Sequence, residues 1–391
     1  MRVFLAFLLI GFAPCAQAQW IELPWPVLDA TLPVWKPDDF DASKSYPAIV
    51  FYHGTGGKPT AELIHRMTAG KDFVLVGMTY RHQGRFDYSE QEIADELGLL
   101  NALKKTLTGS LAVDAKRIYV GGFSKGGWHT ALLLDRDRSL AGGLILGSGV
   151  FENRKDAPKF GVPPSIYIGC GRYDGNYPPS LGALIYFRNL GAQVTHESWL
   201  DTGHEYPKQP PEAMRQWLRI QAAAADLEEE AYAWIAARLP VIEAIGDPVG
   251  QWFAFDEFVT LPFVKKFGAE VAAAARAKLA LLAANPKVVA EQKWREESRL
   301  ILARECRDRL LTTLQEASRS HQQLAAQAVG TRAGTEATRD FERTRELLKT
   351  AKVVTRVDQP EAIAPETPAP PTSNPDRRAF FPPGSKVKPA R

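Results

Sequence analysis

Arg117-Ile118-Tyr119-Val120-Gly121-Gly122-Phe123-Ser124-Lys125-Gly126 is the stretch on which this chain turns. An apolar, β-rich run ends in the pattern G-x-S-x-G over Gly122–Gly126. A small, helix-compatible stretch follows: Gly127, Trp128, His129, Thr130, Ala131, Leu132. That is the layout of a nucleophile elbow, with a serine on a tight strand-to-helix turn. Glycines two positions before and after the serine let the backbone fold that sharply. The pattern makes Ser124 a candidate nucleophile for acyl transfer, a class that needs a base, an acid to orient it and an oxyanion hole. Glycine and serine are common, so the motif acquires meaning only from what surrounds it.

The bulk properties are those of a globular chain of one or two domains. It has 391 residues, of which 45% are hydrophobic and 10% aromatic, enough for a sizeable core. A net charge of +3 lacks the concentrated basic excess of a nucleic-acid binder. Residues 1–18 read as a signal peptide: Arg2, an apolar run from Val3 to Ala13, and the cleavage pattern Ala16-Gln17-Ala18. The mature chain is then expected from about Gln19, secreted or periplasmic, with no membrane span. The apolar run is too short to serve as an anchor. Phe12-Ala13-Pro14 before Cys15 is a poor lipidation signal. Cys170 and Cys306 remain, and one bridge is arithmetically open to them. Cys170 ends an apolar strand-like run and Cys306 lies in a distant helical segment, so two free buried thiols are expected.

From Trp20 to Ala223, β-rich runs alternate with helical stretches. The runs are Ala48–His53, Phe73–Tyr80, Arg117–Phe123, Gly142–Ser148, Ser165–Cys170 and Val194–Trp199. Near-continuous apolar runs suit strands covered on both faces, and the alternation implies a mostly parallel sheet between helices. Residues 20–36 fit an irregular lead-in or an edge hairpin. Alternation stops near residue 225. Asp226–Ala237 is expected to be helical, with Pro240 ending it. Gly246–Phe267 is aromatic and irregular, and its part from Trp252 to Phe267 is a candidate wall for a substrate pocket. Ala269–Ala284 and Val288–Val329 are helical, with Leu302, Cys306, Leu310 and Leu314 at a spacing of four. The division is a catalytic domain over 19–223, a helical accessory region over 226–357, and a tail over 358–391. That tail has nine prolines in 34 residues and is expected to be disordered.

With strands in this order, residues 20–223 resemble the α/β-hydrolase fold, most of all its dienelactone hydrolase and phospholipase/carboxylesterase-type esterases. Four motifs in order carry the resemblance. His53-Gly54-Thr55-Gly56-Gly57 matches the loop that supplies one oxyanion amide, which by position is Thr55 or Gly56. At the elbow, the resemblance implies Ser124 as nucleophile and the amide of Lys125 as the second donor. The Lys125 side chain is expected to be solvated at the pocket rim. Cys170-Gly171-Arg172-Tyr173-Asp174-Gly175 looks like the loop that carries the triad acid, with Asp174 the candidate and Glu152 the runner-up. In Leu200-Asp201-Thr202-Gly203-His204, His204 is the candidate base. Of the seven histidines, it alone follows both Ser124 and Asp174 in a loop after the last core strand.

The resemblance implies a serine hydrolase acting on a small-molecule or polymer-linked carboxylic ester. Two other readings stay open. Ser124-Lys125-Gly126-Gly127 also resembles prolyl-oligopeptidase-type peptidases, although those usually place a large propeller first and only about 30 residues separate the signal peptide from the first core strand here. A catalytically silent hydrolase fold used for binding or scaffolding is the third, with the helical region as its working part and an unknown protein partner. No HExxH, paired CxxC or acidic calcium loop occurs, so no metal or cofactor is expected.

Overall fold

In Tyr46–Tyr52 every residue is buried, and its side chains divide between two cores: Ala48, Val50 and Tyr52 on one side, Ile49 and Phe51 on the other. The two-residue period of a strand forces that division. A strand apolar on both sides has to sit inside a sheet, and it does. The structure is a computed structural model describing residues 20–38, 40–82, 88–151, 157–223, 227–307 and 311–350. The leader 1–18, the tail 358–391, Glu152 and Leu310 lie outside the described residues, as does the side chain of Cys306.

The strands are β1 (Trp20–Trp25), β2 (Ala30–Trp35), β3 (Tyr46–Tyr52), β4 (Val74–Met78), β5 (Val113–Phe123), β6 (Gly142–Leu146), β7 (Ser165–Gly171) and β8 (Gln193–Trp199). They form one sheet in the order β1-β2-β4-β3-β5-β6-β7-β8. All neighbours from β4 to β8 are parallel, while β1 and β2 form an antiparallel hairpin at the edge. This mostly parallel sheet with an antiparallel edge is the α/β-hydrolase fold. From β3 the chain moves outward to β4, then returns to place β5 on the other side of β3. The loops leaving β3 and β5 therefore diverge and open a crevice at the strand ends, where α/β sheets bind ligands.

Helices α1 (Glu62–Thr68), α2 (Glu90–Ser110), α3 (Lys125–Arg136), α4 (Tyr177–Asn189) and α5 (Glu212–Ala222) cover the sheet. Beyond them lie α6 (Glu228–Glu243), α7 (Pro248–Phe258), α8 (Pro262–Phe267), α9 (Ala269–Leu282), α10 (Pro286–Arg307), α11 (Leu311–Gln327) and α12 (Arg332–Thr350). Ile235, Ile242, Phe255, Phe258 and Val264 share one core with Trp217 of α5 and Phe51 of β3. The first part of the helical region thus thickens one face of the sheet. The second part has its own small core of Ile301, Ala317, Leu324, Ala328 and Ala337.

Two local expectations are corrected. Pro240 lies inside α6 instead of ending it. It sits near the C-terminal end, and burial of Ile242 beyond it holds the last turn against the loss of one hydrogen bond. The stretch Gly246–Phe267 is two helices. Asp247 caps α7 by accepting from the Gly250 amide at 2.7 Å, and Pro248 and Pro262 occupy first-turn positions. Those start signals are present in the sequence beneath the aromatic residues. No described helix is long and apolar enough to cross a membrane.

Candidate active site

β5 runs directly into α3 through a single residue, Ser124, at φ 58° and ψ −120°. For a residue with a side chain this backbone costs about 1–3 kcal/mol, and such strain persists only where the surroundings enforce it. Here they do. A Cβ on Gly122 would lie 2.4 Å from the carbonyl carbon of Gly126, and one on Gly126 would lie 2.1 Å from the Tyr52 carbonyl oxygen. Any other residue at either position would prise β3, β5 and α3 apart. The Ser124 amide donates to the Leu146 carbonyl at 2.9 Å, pinning the turn to β6.

Asp174 follows β7. Its Oδ1 accepts from the Asn176 amide at 2.8 Å, and Oδ2 lies 3.6 Å from the Cys170 thiol. Cys170 is free and buried; burial, then the Asp174 charge, pushes its thiol far above the usual range. His204 lies on the loop from β8 to α5. Glu197 on β8 accepts from the first-turn amides of Ala213 and Met214, both at 3.1 Å, and so ties the two ends of that loop together. The His204 ring stacks on Phe123, with centroids 5.1 Å apart.

These three elements converge. His204 Nε2 is 2.9 Å from Ser124 Oγ, and His204 Nδ1 is 2.7 Å from Asp174 Oδ2. Ser124 and Asp174 are buried while His204 stays partly exposed. The other six histidines have other surroundings: His82 bonds Asp95, His196 approaches Ser180, and His321 meets Glu305. His65 packs on Trp35, and His129 sits between Tyr52 and Tyr80. His53 bridges the Gly54 carbonyl and Thr79 Oγ1, and burial lowers its pKa.

The loop after β3 lies against the serine: a Cβ on Gly54 would stand 3.7 Å from Ser124 Cβ. Thr55 and Gly56 form the corner of a turn closed by the Gly57 amide on the Gly54 carbonyl at 3.1 Å, with Gly56 at φ 73°. Thr55 is exposed at this corner. Lys125 opens α3, so its amide belongs to the helix's positive end beside Ser124. Its side chain departs from expectation. It is buried, lies 4.4 Å from the centroid of Tyr80, and has its pKa lowered to about 8 by burial, with Glu96 opposing. The side chain turns in to the Tyr80 ring instead of reaching for water.

Phe255 and Phe258 are in the core, and Trp252 lines a separate cavity of about 530 Å³ with Arg172, Tyr177 and Arg295. That cavity touches none of Ser124, Asp174 and His204. Among the described residues no cluster of His, Cys, Asp and Glu is arranged to hold a metal ion.

No family model matches the sequence, and no curated protein matches it. Among solved structures, the chain is similar to a phospholipase/carboxylesterase from Dyadobacter fermentans at 16% identity, over 45% of this chain and 90% of that one, with a TM-score of 0.36. It is similar to the Bacillus cereus carboxylesterase at 20% identity, over 45% and 87% of the two chains, with a TM-score of 0.36. A third is the Pyrococcus horikoshii acylaminoacyl peptidase, at 15% identity, over 48% and 38%, with a TM-score of 0.35.

Proposed function

We propose that the chain is a serine hydrolase that cleaves carboxylic esters through an acyl-enzyme. The observation that supports this reading is the unbroken relay from Asp174 Oδ2 through the His204 ring to Ser124 Oγ, at 2.7 and 2.9 Å. Ser124 Oγ attacks the ester carbonyl carbon while His204 Nε2 takes its proton. Asp174 holds Nδ1–H, which selects the tautomer with a free Nε2, and then stabilises the imidazolium. The amides of Thr55 and Lys125 donate to the oxygen that becomes negative in the tetrahedral intermediate. Its collapse breaks the C–O bond, and Nε2–H protonates the leaving alcohol. A water deprotonated by His204 then attacks the acyl group on Ser124, releasing the acid and restoring the serine. Each proton that reaches Nε2 leaves from it, so the ring returns neutral.

The substrate is a small-molecule or polymer-linked ester, met outside the cytoplasm if the leader-like residues 1–18 act as a signal. A fluorophosphonate probe is expected to label the intact protein at Ser124. Ser124→Ala is expected to lose labelling and at least about 10⁴-fold of p-nitrophenyl ester turnover. Turnover that survives in Ser124→Ala sinks the assignment. Faster cleavage of aminoacyl amides than of esters would move the substrate class to peptides.

A further inference from the structure

We infer that the C-terminal helix α12 is a clamp that holds the acid and base loops of the site in register, with Asp340 as its principal positioning residue. The inference rests on the reading of Ser124, His204 and Asp174 as a catalytic relay.

The two loops are one mechanical piece. The Arg172 amide donates to the Trp199 carbonyl at 2.9 Å, and the Tyr173 amide donates to the Thr202 carbonyl at 3.0 Å. Gly171 lies so close to Gly203 that a Cβ on it would be 2.1 Å from the Gly203 carbonyl oxygen. What moves the loop of Asp174 therefore moves the loop of His204.

α12 grips this piece at residues on either side of Asp174. Arg172 Nη1 and Nη2 donate to the two carboxylate oxygens of Asp340 at 2.8 and 2.7 Å. Arg339 bonds Asp201 of the base loop and places its guanidinium 4.9 Å from the centroid of Tyr173. The Leu347 methyl fills the space over Gly175, where a Cβ would stand 2.8 Å from it. Residues 339/340, 343 and 347 recur at helical spacing, so one stripe of α12 makes or supports every contact. Residues 172, 173 and 175 receive them, and the acid between is held from both sides.

The central pair is buried and backed. Asp340 is fully buried and Arg172 nearly so. Arg343 Nε also donates to Asp340, at 3.2 Å, and its Nη2 reaches Glu305 of α10 at 2.9 Å. His321 of α11 lies 2.7 Å from the same Glu305 oxygen. Two guanidiniums thus face the carboxylates of Asp340 and Glu305 in a buried interface, with Glu336 3.7 Å from Arg172 Nη2, and α10, α11 and α12 all contribute to this network. A buried bidentate pair fixes direction as well as distance, and it is costly to desolvate unless both partners are held. Apolar packing would attach α12 to the domain equally well. The bidentate geometry sets where the Asp174 loop sits, and hydrogen-bond relays tolerate displacements of only about 0.5 Å.

The test is Asp340→Asn in the full chain, which keeps the shape and removes the charge. The wild type is expected to label at Ser124 and turn over p-nitrophenyl acetate. In Asp340→Asn, kcat should fall about tenfold or more with KM within about twofold, and labelling should slow in parallel. Leu347→Ala leaves the ion network intact and should lower kcat in the same direction by a smaller factor; it decides the matter if Asp340→Asn fails to fold. Asp247→Ala, which removes the α7 cap, should leave kcat unchanged. The clamp is overturned if the folded variants of Asp340 and Leu347 keep wild-type kcat and labelling rate, if only KM changes, or if Asp247→Ala lowers kcat as much. If the wild type neither labels at Ser124 nor cleaves esters, the reading of the site falls and the clamp with it. If the wild type labels and the variants match it, the clamp alone falls.

Discussion

The Ser124 half of the candidate site and its Asp174–His204 half are held by different means. Around Ser124 the geometry is set by main chain: two glycines with no room for a Cβ, a strained φ, and an amide bonded to the neighbouring strand. Around Asp174 and His204 main-chain bonds join the two loops to each other, and side chains tie that pair to a helix more than a hundred residues further along, with Arg172 bonded to Asp340. The first half cannot be altered without damaging the sheet. The second can be loosened while the fold persists. A backbone-built element couples stability to activity, and a side-chain-built one lets them vary separately.

Asp174→Asn should break the two apart most clearly. Turnover is expected to drop by about 10⁴-fold, since the imidazole loses the group that selects its tautomer. The melting temperature should change little, because the amide still accepts from Asn176. A large loss of melting temperature would show that the acid half is structural as well. Gly126→Ala is the converse. The new Cβ meets the Tyr52 carbonyl, so stability should fall by about 3 kcal/mol or more, and activity should fall with it. Denaturant unfolding measures this, and an unchanged midpoint would contradict a backbone-built elbow.

Acid should sharpen the same comparison. His129, buried behind the elbow, has its pKa lowered to about 3 by burial and then by the Lys125 charge. Unfolded, it titrates near 6.5, so between those values the unfolded chain binds the extra proton. Stability therefore falls as pH drops, by about 2–3 kcal/mol between pH 6.5 and 4.5 for this one group. His196, held to about 4, adds to the slope with the same sign. In the clamp, Asp340 and Glu305 have lowered pKa values despite burial, because Arg172 and Arg343 favour their charged forms. Their contribution is present above the unfolded carboxylate pKa and is lost only at lower pH. Melting curves from pH 7 to 4.5 should thus be flatter in His129→Gln than in wild type. Equal slopes would remove His129 from the account.

Much of the candidate site is legible in one dimension because each of its residues lies just past a strand. Ser124, Asp174 and His204 follow β5, β7 and β8, and a parallel sheet brings such ends to one edge. The glycines around Ser124 are legible for the same local reason. Pro240 misled because burial of Ile242 beyond it offsets the hydrogen bond that the proline forfeits. The aromatic stretch misled because aromatic density masked Asp247-Pro248, a helix start. Lys125 was expected in water, and nothing local distinguishes a lysine that packs under a tyrosine from one that does not.

The sequence by itself determined the succession of strands along the chain and the elbow, since these follow from local periodicity and from glycines whose need is local, while the resemblance of four motifs pointed to Ser124, Asp174 and His204. Only the tertiary structure decided what α12 does. Asp340 and Arg172 are 168 positions apart, and no spacing rule connects them. Their pairing depends on how helices stack against a sheet, a packing outcome that the local pattern of neither residue encodes.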